Sequence, residues 1–326
     1  MIKLTIEAND AGQRLDRFLK KFMKQAGLSG IYKIIRKDLK VNGRRAKEDT
    51  VLEEGDELWF YMDEETFARL TKPAKKHTAR KQFKVVYEDD NVLIVSKPFG
   101  LLTHGDSHEK KNTLANQVAG YLQEKGEFDP ARERTFVPSP VNRLDRNTTG
   151  LVIFGKNAEA LRTLTRVLRE RKSVDKYYMT IVCGSMSGEL DITDSLIKDE
   201  DANRVHLAKP VHSDTTGTAV KSAHTIARPL KTGRGFSLVE VLLVTGRTHQ
   251  IRVHLASKGY PLAGDAKYGD RRVNETLKNK GITTQILHAY KLEFKQMPES
   301  LAALSGKTIT AEAPAEFRRA QKELGL

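Results

Sequence analysis

Between Asn142 and Phe154 a polar turn runs straight into an unbroken apolar stretch. Asn142-Arg143-Leu144-Asp145-Arg146-Asn147-Thr148-Thr149, closed by Gly150, is followed by Leu151-Val152-Ile153-Phe154. Asn, Asp and Thr bond their own backbone, and glycine tolerates positive φ, so the order is that of a turn. The segment therefore predicts a loop entering a strand, with one carboxylate on the loop. Asp145 stands between two cations, Arg143 and Arg146. Taken alone, the pattern is better explained by a turn-forming aspartate with surface arginines nearby.

The 326 residues are enough for about two domains. With 39% hydrophobic and 30% charged residues, the composition suits a soluble globular protein with a sizeable core. No stretch approaches the roughly 18 consecutive apolar residues of a membrane span. Met1-Ile2-Lys3-Leu4-Thr5-Ile6-Glu7 alternates and lacks the apolar core of a signal peptide. The single cysteine, Cys183, excludes an intramolecular disulfide and fits a reducing cytoplasm. It lies in an apolar strand pattern and is taken as core. The formal charge of +14 favours a polyanionic partner. Charge by itself does not name that partner.

The first unit spans residues 1–64. Asp10-Ala11-Gly12-Gln13 resembles a capping box. Leu15, Phe18, Leu19 and Phe22 follow at helical spacing, and Gly27 is expected to end that helix. A second helix begins near Ser29, with Ile31, Ile34 and Ile35 as its core stripe and Lys33, Arg36, Lys37 and Lys40 opposite. Asn42-Gly43 is a hairpin signal, followed by Arg44, Arg45 and Lys47, and Leu58 to Tyr61 forms a strand. Residues 65–82 contain Lys72-Pro73-Ala74-Lys75-Lys76-His77; they are basic and poor in apolar residues, as in a linker. Residue by residue, the basic side chains suit a solvated face. Their order, over residues 12–62, resembles the αL RNA-binding motif, found in a ribosomal small-subunit protein, in bacterial tyrosyl-tRNA synthetases and ahead of many pseudouridine synthase domains. The resemblance implies that Arg36, Lys37, Lys40 and Arg44 grip an RNA backbone.

The second unit, residues 83–326, opens with strand-like runs at Phe83 to Tyr87 and Val92 to Ser96. Lys97-Pro98-Phe99-Gly100 and Leu102-Thr103-His104 follow. Helices are expected near Thr113 to Leu122 and, capped by Asn157, along Leu161, Leu164 and Leu168. Lys176 to Gly184 reads as a strand. The stretches Val205 to Val211 and Ala219 to Ile226 are further strand candidates. Gly233-Arg234-Gly235 lacks the spacing and lysine of a phosphate loop. Ser237 to Val244 is a strand leading into Thr245-Gly246-Arg247-Thr248-His249-Gln250-Ile251-Arg252-Val253-His254, where Thr248 can cap a short helix that Gly259 ends. His249 and His254 have no HExxH-like spacing, so no metal site is expected. Gly259 to Gly269 is a loop whose glycines and proline dictate backbone shape. Strand residues His288 to Leu292 and a terminal helix after Pro314 complete the chain.

Three of these stretches resemble, in order, the motifs of the RluA-type pseudouridine synthases. They are Arg143-Leu144-Asp145 through Gly150, Lys176-x-Tyr178 with its apolar strand, and Thr245 to Arg252. The chain departs from the first in having Asn142 in place of the usual histidine and Thr149 where serine is commoner. The resemblance implies that Asp145 is the essential carboxylate and that Arg252 pairs with it. It implies that Tyr178 offers a flat face to the base and a phenol for proton handling. Tyr177 is the alternative for that part, and on a strand the two point to opposite faces. Arg143 is placed to fill the space of a base that has left its stack, and Arg247 also joins the RNA-binding residues. The implied fold is α+β, a mixed, mostly antiparallel sheet with helices packed on it, behind a small N-terminal α+β αL RNA-binding domain hanging on a flexible linker. The implied reaction converts uridine to pseudouridine without a cofactor, most often in large-subunit ribosomal RNA, with relatives acting on transfer RNA. A cytoplasmic monomer with no membrane attachment is expected. A non-catalytic RNA-binding protein is the alternative. A hydrolytic glycosidase would need paired carboxylates, which no motif here supplies.

Overall fold

The computed structural model describes residues 1–71, 79–199, 204–208 and 220–326. Two compact units form. One comprises Met1–Lys81, Ala115–Ser139 and Gly155–Arg162; the other comprises Gln82–Leu114, Pro140–Phe154 and Thr163–Leu326. Neither is continuous in sequence.

In the first unit, short alternating stretches close a three-stranded antiparallel sheet. Strand β1 (Ile2–Thr5) and β2 (Leu39–Val41) flank β3 (Glu57–Phe60). Helices α1 (Leu15–Phe22) and α2 (Leu28–Lys37) turn Leu15, Phe18, Leu19, Ile31, Ile34 and Ile35 into one core with Leu58 and Phe60. Each such side chain contributes about 1.5–3 kcal/mol on burial. Asn42 and Gly43, both at positive φ, make the turn after β2. Two helix ends differ from expectation. Helix α1 stops at Phe22, because Met23 leaves helical φ/ψ with its side chain fully buried, and Gly27 instead precedes α2 as its N-cap. The expected capping box does not form. Arg14 is the cap of α1, and Asp10 accepts hydrogen bonds from the Thr135 hydroxyl (2.6 Å) and amide (3.2 Å).

That bond belongs to a larger set of polar ties. Gln13 donates to Thr135, Asn9 donates to Glu133 and accepts from the Ala158 amide, and Arg162 donates to the Ala11 carbonyl. Residues 9–13 are thereby sealed against 133–135 and 158–162 of the same unit. A module merely hanging on a tether would leave Asp10 solvated, whereas Asp10 is 1% exposed. Part of the expected linker is also structured: α3 (Glu64–Leu70) is capped by Asp63, and Phe67 packs edge-on against Phe22 and Phe60. Lys72 to His77 lie outside the described residues.

The second unit is built on an 11-stranded sheet. Its strands are β4 (Lys84–Glu88), β5 (Val92–Lys97), β6 (Ser139–Pro140), β7 (Thr149–Gly155), β8 (Val174–Cys183), β9 (Leu190–Asp199), β10 (Arg204–Leu207), β11 (Lys221–Gly233), β12 (Phe236–Leu243), β13 (Leu287–Phe294) and β14 (Thr308–Thr310). The order is β10-β9-β11-β12-β8-β13-β7-β5-β4, with β14 on β13 and β6 on β7. Strands β7 and β13 run parallel; β9 to β12, β8 and β13 pair antiparallel, as do β4 and β5. The sheet is therefore mixed and mostly antiparallel. The unit's helices are α6 (Gln250–Ser257), α7 (Arg271–Asn279) and α8 (Ala315–Leu324), with the later part of α5 (Ala158–Glu170), whereas α4 (Leu114–Glu124) from Ala115 onward and the start of α5 belong to the first unit. Strand β7 is buried at every residue, so the apolar run after Gly150 lies in the middle of the sheet with both faces covered. Helix α7 and strand β9 had no expectation attached; β10 and β11 overlap the two strand candidates, whose residues 209–211 and 219 are undescribed. Against β8 and β12, Ile181 and Leu238 meet Leu277, Ile282, Phe317 and Leu324.

Candidate active site

The loop ahead of β7 is held from three directions. Gly150 has φ +110°, and a Cβ there would come within 2.1 Å of the Ala289 carbonyl oxygen, so only glycine lets β7 approach β13. Asn142 pairs along β7: its Nδ2 donates to the Leu151 carbonyl (3.2 Å) and its Oδ1 accepts from the Ile153 amide (2.9 Å). The residue that departs from the expected histidine is thus occupied with backbone. Thr103 supplies one hydroxyl to both groups of Leu144, accepting from its amide (3.2 Å) and donating to its carbonyl (3.0 Å). Lys97, 1% exposed, donates to the carbonyls of Pro98, Leu101 and Arg146. Burial pulls its ammonium down to about 7, opposed by the charge of Asp145.

The second wall of the site is the start of α6. Gln250 accepts from the Thr245 hydroxyl and the Arg247 amide, and donates to the His224 carbonyl and the Thr225 hydroxyl. These bonds fix the turn into the helix. The expected Thr248 cap is absent: His249 is the N-cap, in a left-handed conformation, without a side-chain cap bond.

Arg252 then reaches the loop. Its Nε and Nη2 donate to Asp265 at 2.7 and 2.8 Å, and its Nη1 donates to Asp145 Oδ2 at 3.0 Å. One guanidinium bridges two carboxylates. Asp265 is 0% exposed, which alone would raise its pKa, but the Arg252 hydrogen bonds and charge hold it below the usual carboxylate range. The amides of Lys267 and Tyr268 also donate to Asp265. Asp145 keeps 29% of its side chain open to solvent. Two carboxylates on one arginine therefore differ: one is sealed in, the other faces outward.

Tyr178 lies on β8, buried between Val241 and Ala289, and burial with the charge of Asp145 pushes its phenol up. Tyr177 sits under Lys291, 4.0 Å from ring to ammonium, with Glu293 and Asp175 acting on its phenol. Among the described residues, then, Asp145, Arg252 and Tyr178 come together. Arg143 is exposed and its charge acts on His104. Arg247 donates to the Ser222 carbonyl on β11, away from the Arg252 bridge. Arg36, Lys37 and Arg44 are exposed in the other unit, and Lys40 lies over Tyr61. No three His, Cys, Asp or Glu side chains among the described residues are grouped to hold a metal. Their helices include none long and apolar enough to cross a membrane.

Sequence reasoning missed Asp265, Lys97, His249 and Tyr268. Asp265 and Tyr268 lie in the stretch taken as a shape-determining loop. The available signal was an acid between Gly264 and Ala266, where apolar and glycine neighbours leave a carboxylate little reason to be unless it is paired.

The profile of RNA pseudouridylate synthases matches residues 91–257, which contain Asp145, Tyr178 and Arg252. The ribosomal large subunit pseudouridine synthase C of Vibrio cholerae is 32% identical over 320 residues, covering 96% of this chain and 93% of the relative. The Escherichia coli protein of the same name is 32% identical, with 95% and 92% covered. Among solved structures, human RNA pseudouridylate synthase domain containing 4 aligns with a TM-score of 0.58 at 21% identity, covering 74% of this chain and 93% of that one, a likeness of fold. Fold, sequence profile and near-full-length similarity converge: the chain belongs to the RNA pseudouridylate synthase family.

Proposed function

We propose that this enzyme isomerises uridine to pseudouridine in large-subunit ribosomal RNA, with Asp145 as the reacting carboxylate. The observation that carries the reading is the Arg252 bridge. It leaves one carboxylate, Asp145, partly open on a loop clamped by Lys97 and Thr103. The target class follows the names of the relatives, which are ribosomal large subunit synthases. The reaction breaks the bond from ribose C1′ to uracil N1, turns the base and forms a bond from C1′ to C5. N1 gains a proton and C5 loses one to solvent. Asp145 supplies negative charge where C1′ becomes electron-poor. Tyr178 gives the base an apolar face, and its raised phenol pKa keeps it protonated as the base turns. The uridine first leaves its stack, at a cost of a few kcal/mol. Arg143, exposed beside the loop, fills the vacated space.

Residues 1–64 serve as an αL RNA-binding domain ahead of a catalytic domain over 83–326. In the first, Arg36, Lys37, Lys40 and Arg44 take phosphates, and Arg247 does so in the second. The protein acts as a cytoplasmic monomer without a cofactor. Tritium release from RNA carrying 5-tritiated uridine tests the reading. Release from large-subunit RNA by the wild type, and none by Asp145→Asn, is expected. No release from ribosomal or transfer RNA, with binding retained, would leave an RNA-binding protein.

A further inference from the structure

His249 stands beside Asp145, and the reaction described above gives it no part. Its backbone occupies the left-handed region at φ +51°, a conformation that costs a non-glycine residue about 1–3 kcal/mol. Its side chain is 9% exposed. Nδ1 lies 2.9 Å from the Tyr268 hydroxyl, and Nε2 lies 3.8 Å from Asp145 Oδ2.

The tautomer follows from the neighbours. Tyr268 accepts a hydrogen bond from the Val205 amide at 2.9 Å. Among the described residues that hydroxyl has no acceptor other than His249 Nδ1, so the single phenolic proton is assigned to Nδ1. Nδ1 is then the acceptor, and a neutral ring carries its proton on Nε2. The opposite tautomer would point a bare Nε2 lone pair at a carboxylate. The charged groups around the ring are Asp145 on the loop before β7, Arg252 on α6, and Asp265 and Lys267 on the loop after α6. They oppose one another in pairs, and burial, the larger influence, favours the neutral ring.

We propose that His249 is a positioning residue for Asp145: neutral, locked by Tyr268 and protonated on Nε2, it becomes the second donor to Oδ2 and leaves Oδ1 to face the ribose. The inference rests on the reading of Asp145 as the reacting group. Its chemistry is that of an aspartate torsion, which is broad and roughly two-fold. Arg252 alone can hold either oxygen of a carboxylate that swings. Two donors converging on one oxygen, which has two lone pairs, fix both the oxygen and the plane. The present 3.8 Å is about 1 Å beyond a hydrogen bond, the kind of distance that tightens when substrate closes a site.

Two measurements on the full-length protein test this. The first is nitrogen-15 spectroscopy of labelled histidine, with the His249 signal among nine assigned by its loss in His249→Asn. At pH 7 the ring should show a protonated Nε2 and an unprotonated Nδ1, and Tyr268→Phe should abolish that preference. A proton on Nδ1, or an imidazolium, overturns the proposal. The second is single-turnover tritium release per folded enzyme, folding being checked by thermal melts. His249→Leu should slow release about 10-fold, from loss of one hydrogen bond to a charged group, with RNA affinity changed less than about twofold. His249→Gln, which retains a donor, should recover most of the rate. Equal slowing by glutamine and leucine also overturns the proposal. Full activity of Asp145→Asn would instead remove the reading of Asp145, whatever the tautomer.

Discussion

Replacing each of the two carboxylates on Arg252 should show that stability depends on the buried one far more than on the outward one. Asp265→Asn keeps the side-chain shape but leaves the guanidinium, 6% exposed, with Asp145 as its remaining anionic partner. Removing one partner of a buried ion pair costs about 3–5 kcal/mol, because the other charge stays desolvated. In a unit of this size 1 kcal/mol moves the melting temperature by about 2–4 °C, so a fall of about 10 °C is expected. Asp145→Asn leaves the doubly bonded Asp265–Arg252 pair intact, and the amide oxygen still accepts from Nη1. Because Asp145 is partly solvated, the loss should be below about 1 kcal/mol, a shift of no more than about 4 °C. Differential scanning fluorimetry with tritium release on the same samples reads both effects. Asp145→Asn should melt near the wild type and release nothing. If Asp145→Asn melts as low as Asp265→Asn, the outward carboxylate is structural and the division of roles is wrong.

Four further outcomes follow from the same geometry. Gly150→Ala should fail to fold or melt far below the wild type, since its Cβ would overlap the Ala289 carbonyl and no side chain can yield; a normal melt would deny the close approach of β7 and β13. Lys97 has a folded pKa of about 7, below an unfolded value of about 10.4, so the folded state binds fewer protons between them and stability should rise with pH across that interval. Relative to Lys97→Met, urea titrations should show a gain of about 1 kcal/mol from pH 7 to 8, where the group is still half protonated at the start, and about 1.3 kcal/mol from pH 8 to 9, and parallel profiles would contradict the assignment. Replacing Arg36, Lys37 and Arg44 together by alanine should lower the slope of log affinity against log salt by about 2, if three phosphate contacts are lost; an unchanged slope would put the RNA elsewhere. Arg143→Ala should slow single-turnover release more than it weakens RNA binding, and equal losses would count against a role in base flipping.

Much of this could be read from the chain, and the omissions have physical causes. Local patterns carried through where a residue answers to its immediate neighbours. The α1 and α2 stripes, the Asn42-Gly43 turn, the buried β7 run and the Arg252-to-Asp145 pairing inferred from family likeness all appear. Failures cluster where a distant segment took over a side chain. Asp10 looked like a helix cap, yet the Thr135 hydroxyl, 125 residues away, offered it a partner. Phe67 sat in a stretch too polar to suggest a helix, and its contacts with Phe22 and Phe60, with Leu70 packed on the same core, favour α3. Thr248 was the better cap by type, but the Gln250 side chain already bonds the Arg247 amide, and His249 was drawn left-handed toward Tyr268. Asp265 had no periodic signal at all, since its partner is defined by how the loop after α6 folds back.

The shared arginine also answers a difficulty in using an ion-paired carboxylate as a reacting group. A guanidinium devoted to Asp145 alone would cancel much of the charge that the sugar needs. Here two of the three donating nitrogens face Asp265, at the shorter distances, and one faces Asp145. The bridge of two aspartates and one arginine carries a net charge of about −1 when both acids are ionised, and Asp145 is the member open to solvent. Arg252 can therefore orient Asp145 without quenching it, provided Asp265 is there to take most of the arginine's charge. On that argument Asp265→Asn should slow the chemical step even in molecules that remain folded, because the arginine would turn its full charge on Asp145. Single-turnover release measured well below the variant's melting temperature isolates that effect, and a wild-type rate per folded molecule would refute it.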